Sequence, residues 1–142
     1  MDYPHQIDCV WLATNSTGQL AAMITAGEGP IPESVLAHDF DMLDIEGALL
    51  DLPVIAEARL IEQIPDPSSF LALSLRGLFV YDWTDLHRIR AEAVRAYELV
   101  SVPSIQASLR TLPAELRSVA CEVDAVFGSP FVIVDGYWRQ RV

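Results

Sequence analysis

The chain has 142 residues, 51% of them apolar, and sets nine Arg and no Lys against twenty acids, for a net charge of −11. That length fits a single domain over residues 1–142, burying about 70% of the surface its unfolded chain exposes, and the apolar half excludes a disordered chain. The charge excludes a protein that tracks a nucleic-acid phosphate backbone, and no apolar run reaches the ~18 residues of a membrane span.

The N-terminus, MDYPHQID, lacks a basic start followed by an apolar stretch. No export signal is therefore expected, and the protein is expected to be cytoplasmic, with Cys9 and Cys121 as reduced thiols. DCVWLAT and QLAAMIT then flank Asn15-Ser16-Thr17-Gly18, which predicts a hairpin with Gly18 at positive φ. GEGPIPE follows. A phosphate cradle needs successive backbone N–H groups aimed at an anion, but Pro30 and Pro32 remove two donors and Glu28 stands where the anion would sit. The stretch predicts a rigid corner from sheet to helix.

Residues 33–50 read as helical. Stepped at 100° per residue, Leu36, Phe40, Leu43 and Leu50 share one face, and Val35, Met42, Ile45 and Leu49 share a second. Glu33, Asp41, Asp44 and Asp51 line the flank between them. Like charges at this spacing repel by a few tenths of a kcal/mol per pair, so the stripe is tolerated rather than favourable for the helix. It belongs to a wider asymmetry: residues 28–66 hold ten acids against Arg59 alone, a charge of −9, whereas residues 67–142 balance eight acids with eight Arg. His38-Asp39-Phe40-Asp41 carries metal-ligand residue types without a second nearby His, and neither a metal nor a cofactor is expected.

VIAEARLIEQI predicts a second helix, with Pro53 near its first turn and its end before Pro65. SFLALSL is a short apolar stretch read as a strand, and LFVYDW is the clearest strand of the chain. TDLHRIRAEAVRAY predicts an amphipathic helix, with Leu86, Ile89, Ala93 and Tyr97 at three- and four-residue steps. YELVSV predicts a strand and LPAELRSVA a short helix. CEVDAVF and FVIVDGYW are expected to pair across Gly128-Ser129-Pro130. The order predicts an α+β domain with an antiparallel or mixed sheet and helices packed on one face.

Strand ends gather binding groups, and Tyr81, Asp82, Trp83 and His87 stand where the LFVYDW strand meets the next helix. There is no Gly-x-Ser-x-Gly, and neither cysteine has a basic sequence neighbour to lower its pKa.

The segments VWLATNSTGQLAAMITAGEGPIP and RGLFVYDWTD, with YELVSVPS and LP beyond, resemble a group of small uncharacterised bacterial proteins. Those proteins share a WLA-turn-G hairpin, a GEGPIP corner and an RGL(F/Y)-x-YDW strand. The resemblance runs from about Asp8 to Phe127 and implies no catalytic residue. In size and acidity the chain is also similar to immunity proteins, which neutralise toxins of neighbouring cells.

The leading expectation is a non-enzymatic binding protein of immunity or inhibitor type. It would meet a basic partner protein, such as a toxin, through Glu33, Asp41, Asp44 and Asp51. The alternative is a small-ligand-binding protein or enzyme centred on Tyr81, Asp82, Trp83 and His87. A third reading is a homodimer through Val35, Met42, Ile45 and Leu49.

Overall fold

The hairpin forms where its turn chemistry puts it. In the computed structural model, which describes residues 1–83 and 96–134, β1 (Val10–Thr14) and β2 (Leu20–Ile24) pair antiparallel from Val10↔Ile24 to Thr14↔Leu20. Asn15 Oδ1 accepts from Thr17 N (3.2 Å), Thr17 Oγ1 (3.0 Å) and Gln19 N (3.1 Å), and Gly18 takes φ +82°. The side-chain oxygen thus stands in for a backbone acceptor through the turn. Every residue of both strands is buried, so neither face of this hairpin meets water.

Around it grows a mixed sheet of seven strands, with β3 (Ala58–Leu60), β4 (Phe79–Asp82), β5 (Tyr97–Pro103), β6 (Cys121–Glu122) and β7 (Phe131–Val132). Its order is β3-β5-β4-β2-β1-β6, and β7 also pairs with β5. β2 runs parallel to β4 and β1 parallel to β6, while the other pairs are antiparallel. Among the described residues there are four helices: α1 (Glu33–Leu36), α2 (Ile45–Leu50), α3 (Ser68–Ser74) and α4 (Ala114–Val119). The α+β domain expected from the element order is what forms.

Side-chain alternation gives the sheet two unlike faces. The row Leu12–Ala22–Val80–Ser101 meets the helices. There the Ser101 hydroxyl lies 2.6 Å from that of Ser74 in α3 and donates to Phe70 O (3.2 Å). α3 packs across β3, β4 and β5, α2 packs on β1, and α4 packs on α2. The opposite row, Trp11–Met23–Tyr81–Leu99, is aromatic and is covered by coil: the GEGPIP corner and the turn at 127–129.

Several segments depart from the sequence reading. The expected helix over 33–50 is broken into α1, a 3-10 turn at Met42–Asp44, and α2. The breaking groups are side chains: His38 Nδ1 accepts from Phe40 N (2.9 Å), and Asp41 Oδ1 accepts from Leu43 N (3.0 Å). Both offer the backbone a local partner that competes with the helical ladder. VIAEARLIEQI is no helix. It runs along the free edge of β5, pairing Ala58↔Pro103 through Leu60↔Ser101, with Ile61 N donating to Val100 O (2.8 Å). SFLALSL is mostly α3 rather than a strand, entered from Pro67. Among the described residues the two C-terminal segments do not pair with each other, because β6 joins β1 and β7 joins β5. Most of the helix expected over TDLHRIRAEAVRAY lies outside the described residues, as does the chain beyond 134.

Candidate functional site

The acidic segment is displayed at the surface. Glu33, Asp41, Asp44 and Asp51 are all exposed, as are Asp39, Glu57 and Asp66, while Glu28, Glu46 and Glu62 are half-buried. The four chosen residues do not form one stripe, since the helix that would align them is broken. Glu33 opens α1, Asp41 caps the 3-10 turn, Asp44 precedes α2 and Asp51 follows it. Asp41 and Asp44 share one turn, with Asp44 N donating to Asp41 O (2.9 Å). Apolar side chains of the same segment are left partly in water: Leu43, beside Asp44, is 48% exposed, and Val54 and Ile55, just after Asp51, are 58% and 40% exposed. The apolar members were legible as residues, but their exposure depended on the helix break and on the extended path after Leu52.

Asp51 occupies an uncomfortable place. A carboxylate at a helix C-terminus opposes the helix dipole. The terminal carbonyls are served instead by Arg76, whose Nη2 donates to Leu50 O (2.8 Å), Nε to Leu52 O (3.2 Å) and Nη1 to Ala72 O (2.9 Å). One guanidinium therefore closes the ends of both α2 and α3. This role was missed in the sequence, where Arg76 reads only as the residue before a glycine.

The second stripe, considered above as a dimer surface, is spent inside the molecule. Val35, Met42, Ile45 and Leu49 are each no more than 1% exposed. A homodimer through that stripe is thereby corrected, because folding the monomer already buries it against the sheet.

Two of the residues proposed for the alternative ligand site are core residues. Tyr81 is fully buried, and its hydroxyl donates to Ser129 O (2.7 Å) and accepts from Gly128 N (3.0 Å). Burial pushes the Tyr81 phenol up, outweighing these hydrogen bonds. Trp83 is 3% exposed and lies edge-on to Tyr97, with ring centres 5.2 Å apart. Asp82 is half-buried in β4, opposite Glu98 of β5, and His87 lies outside the described residues. Tyr81 and Trp83 thus join the aromatic layer of the sheet rather than converging on a substrate.

That layer also explains the glycine corner. Tyr97 Oη accepts from Trp11 Nε1 (3.2 Å) and donates to Pro30 O (2.9 Å), while Tyr3 Oη donates to Gly29 O (2.6 Å). A Cβ on Gly29 would stand 2.6 Å from Tyr97 Oη and 2.9 Å from Trp83 Cβ. The corner's own N–H groups turn inward, with Glu28 N (3.0 Å) and Gly29 N (2.8 Å) both donating to Thr25 O. It is a clasp over aromatic rings and offers no anion cradle.

Cys9 is a buried free thiol that donates to Ile7 O (3.2 Å). Burial, and behind it the carboxylates of Asp8, Glu46 and Asp41, push this thiol up to about 11. That is the reverse of what a nucleophile needs. Among the described residues no group of three His, Cys, Asp or Glu side chains is placed to hold a metal ion. No helix among them is long and apolar enough to cross a membrane.

A cleft of about 370 Å³ opens between the segment after α2 and the 3-10 turn at Leu109–Thr111. Leu52, Pro53, Ile55, Ala107 and Leu112 form its apolar walls, and Arg76 lines it as well. Comparison with protein-family models, curated proteins and solved structures finds no match to this chain.

Proposed function

We propose that this protein acts by binding another protein, in the manner of an immunity protein or inhibitor, and that its partner presents a basic surface. The observation carrying this reading is the display of the segment's charge. Residues 28–66 concentrate −9, seven of their ten acids are exposed, and Leu43, Val54 and Ile55 stand in water among them. Such an arrangement fits the division of labour at protein interfaces. Carboxylates steer encounter and raise the association rate at low salt, and apolar side chains supply most of the hold. Inhibition would follow by occlusion, with no chemistry required of this chain.

The helix break supports the reading from another side. Asp41 and Asp44 share the 3-10 turn while Asp51 follows α2, so no single helix has to tolerate a run of like charges. Asp51 remains unfavourable for α2, which is expected where a residue is retained for an external partner rather than for folding. The deciding variant is Asp41→Arg with Asp44→Arg. Both side chains are exposed, and the one structural loss is the Asp41 cap on Leu43 N, about 1 kcal/mol. The fold should therefore persist by circular dichroism, while retention of the basic partner should fall by at least about tenfold. Undiminished partner binding by the folded double variant would end the reading.

A further inference from the structure

The cleft beside Arg76 shares Ile55 with the acidic surface, but its construction points to a different kind of ligand. Its walls are fixed from behind. Ile55 N (2.9 Å) and Ala56 N (3.1 Å) both donate to Leu75 O, and Ala107 N donates to Gly77 O (3.0 Å). Gly77, at φ +91°, lets the two walls meet: a Cβ there would lie 2.6 Å from Ala107 N and 2.9 Å from Ile55 Cδ1. The opening is therefore built into the fold, with a volume inside the range of about 300–1,000 Å³ typical of small-ligand sites.

Arg76 supplies the polar group. A guanidinium has five N–H donors, and three are spent on the carbonyls of Leu50, Leu52 and Ala72. Two remain among the described residues. Its three partners are neutral carbonyls, so the full positive charge is retained, and they hold the planar group in place at no cost to an incoming ligand. Ser108 and Thr111 add hydroxyls to a lining that is otherwise mainly apolar.

We infer that this cleft binds a small monocarboxylate with an aromatic or branched aliphatic body, its carboxylate paired with the Arg76 guanidinium and its body against Leu52, Pro53, Ile55 and Leu112. A carboxylate matches a fixed fork of N–H donors better than a neutral amide does, because charge-assisted pairs are roughly twice as strong as neutral ones. The apolar walls supply the rest.

The test is a nuclear magnetic resonance titration of the isotope-labelled full chain with phenylacetate and with phenylacetamide, at physiological salt. Phenylacetate should give saturable shifts at the Ile55, Ala107 and Thr111 amides and at Arg76 Nε–H, with a Kd of about 1 mM or tighter. Phenylacetamide should bind at least about tenfold more weakly. That contrast needs no variant, which matters because removing Arg76 would uncap two helices. A second arm uses Thr111→Trp, an exposed position on the cleft wall whose indole would fill the space; the folded variant should lose the shifts. No saturable shift up to about 10 mM phenylacetate would overturn the proposal. Equal binding of the amide, or shifts that persist in the folded Thr111→Trp protein, would do so too.

Discussion

Removing one oxygen from the aromatic layer should cost this protein a large part of its stability. Tyr97 is fully buried, and its hydroxyl both accepts from Trp11 Nε1 (3.2 Å) and donates to Pro30 O (2.9 Å). Tyr97→Phe keeps the ring and its packing but leaves a buried indole N–H and a buried carbonyl without their partner. The ring that remains leaves too small a hole for a water to replace the hydroxyl. Each orphaned group costs about 1–3 kcal/mol, and partial relaxation sets the expected total at about 2–4 kcal/mol. For a chain of this size that is a fall in Tm of about 7–13 °C. Urea unfolding monitored by tryptophan fluorescence measures it directly. pH dependence supplies an internal control. Burial, the dominant cause, holds the Tyr97 phenol well above its ordinary value of 10.0, so the unfolded chain ionises first. The contribution is intact below pH 10 and is lost as the pH rises toward the folded-state value. The wild type should therefore lose stability more steeply than Tyr97→Phe above that pH. A variant within about 0.5 kcal/mol of wild type, or one with the same alkaline slope, would refute the reasoning.

Gly29→Ala should destabilise by about 2–4 kcal/mol in the same urea assay, because the new methyl meets Tyr97 Oη at 2.6 Å and Trp83 Cβ at 2.9 Å. A neutral result would mean that the corner shifts freely. Asp51→Asn should move two quantities in opposite directions. It should stabilise the fold by about 0.3–1 kcal/mol, by removing a charge from the wrong end of α2, and it should weaken partner binding. Thiol labelling of the native protein near pH 8 should modify the half-buried Cys121 first. Cys9, pushed to about 11, holds only about one thiolate in a thousand there. Faster labelling of Cys9 in the folded state would contradict its assigned surroundings.

The parts of the fold legible in the sequence were those specified locally. Asn15 and Gly18 dictate the hairpin whatever surrounds it, and LFVYDW and YELVSV are rich in strand-forming residues over a length too short for a helix. The segment after Pro53 was ambiguous for a physical reason. AEARLIEQI carries apolar residues at helical spacing, yet residues 56–64 also alternate half-buried and exposed in strict order once extended. What decides is the unpaired edge of β5, a feature supplied by residues some forty positions away. The acidic residues were legible as a charge excess, but not as separate positions on α1, the 3-10 turn and α2. The break signal was present in HDFD, where a histidine and an aspartate sit ready to take nearby backbone N–H groups. The cleft was not legible at all. Its walls come from two segments distant in sequence, and Gly77 joins them only after folding.

The most direct measurement is retention of a basic protein from source-cell lysate on the immobilised chain, followed across a rising salt wash. Charge-steered binding predicts one basic protein held at low salt, released progressively as ionic strength rises, and not held by the folded Asp41→Arg, Asp44→Arg variant. Retention that is indifferent to salt and equal for both proteins would contradict it, as would retention of nothing at any salt.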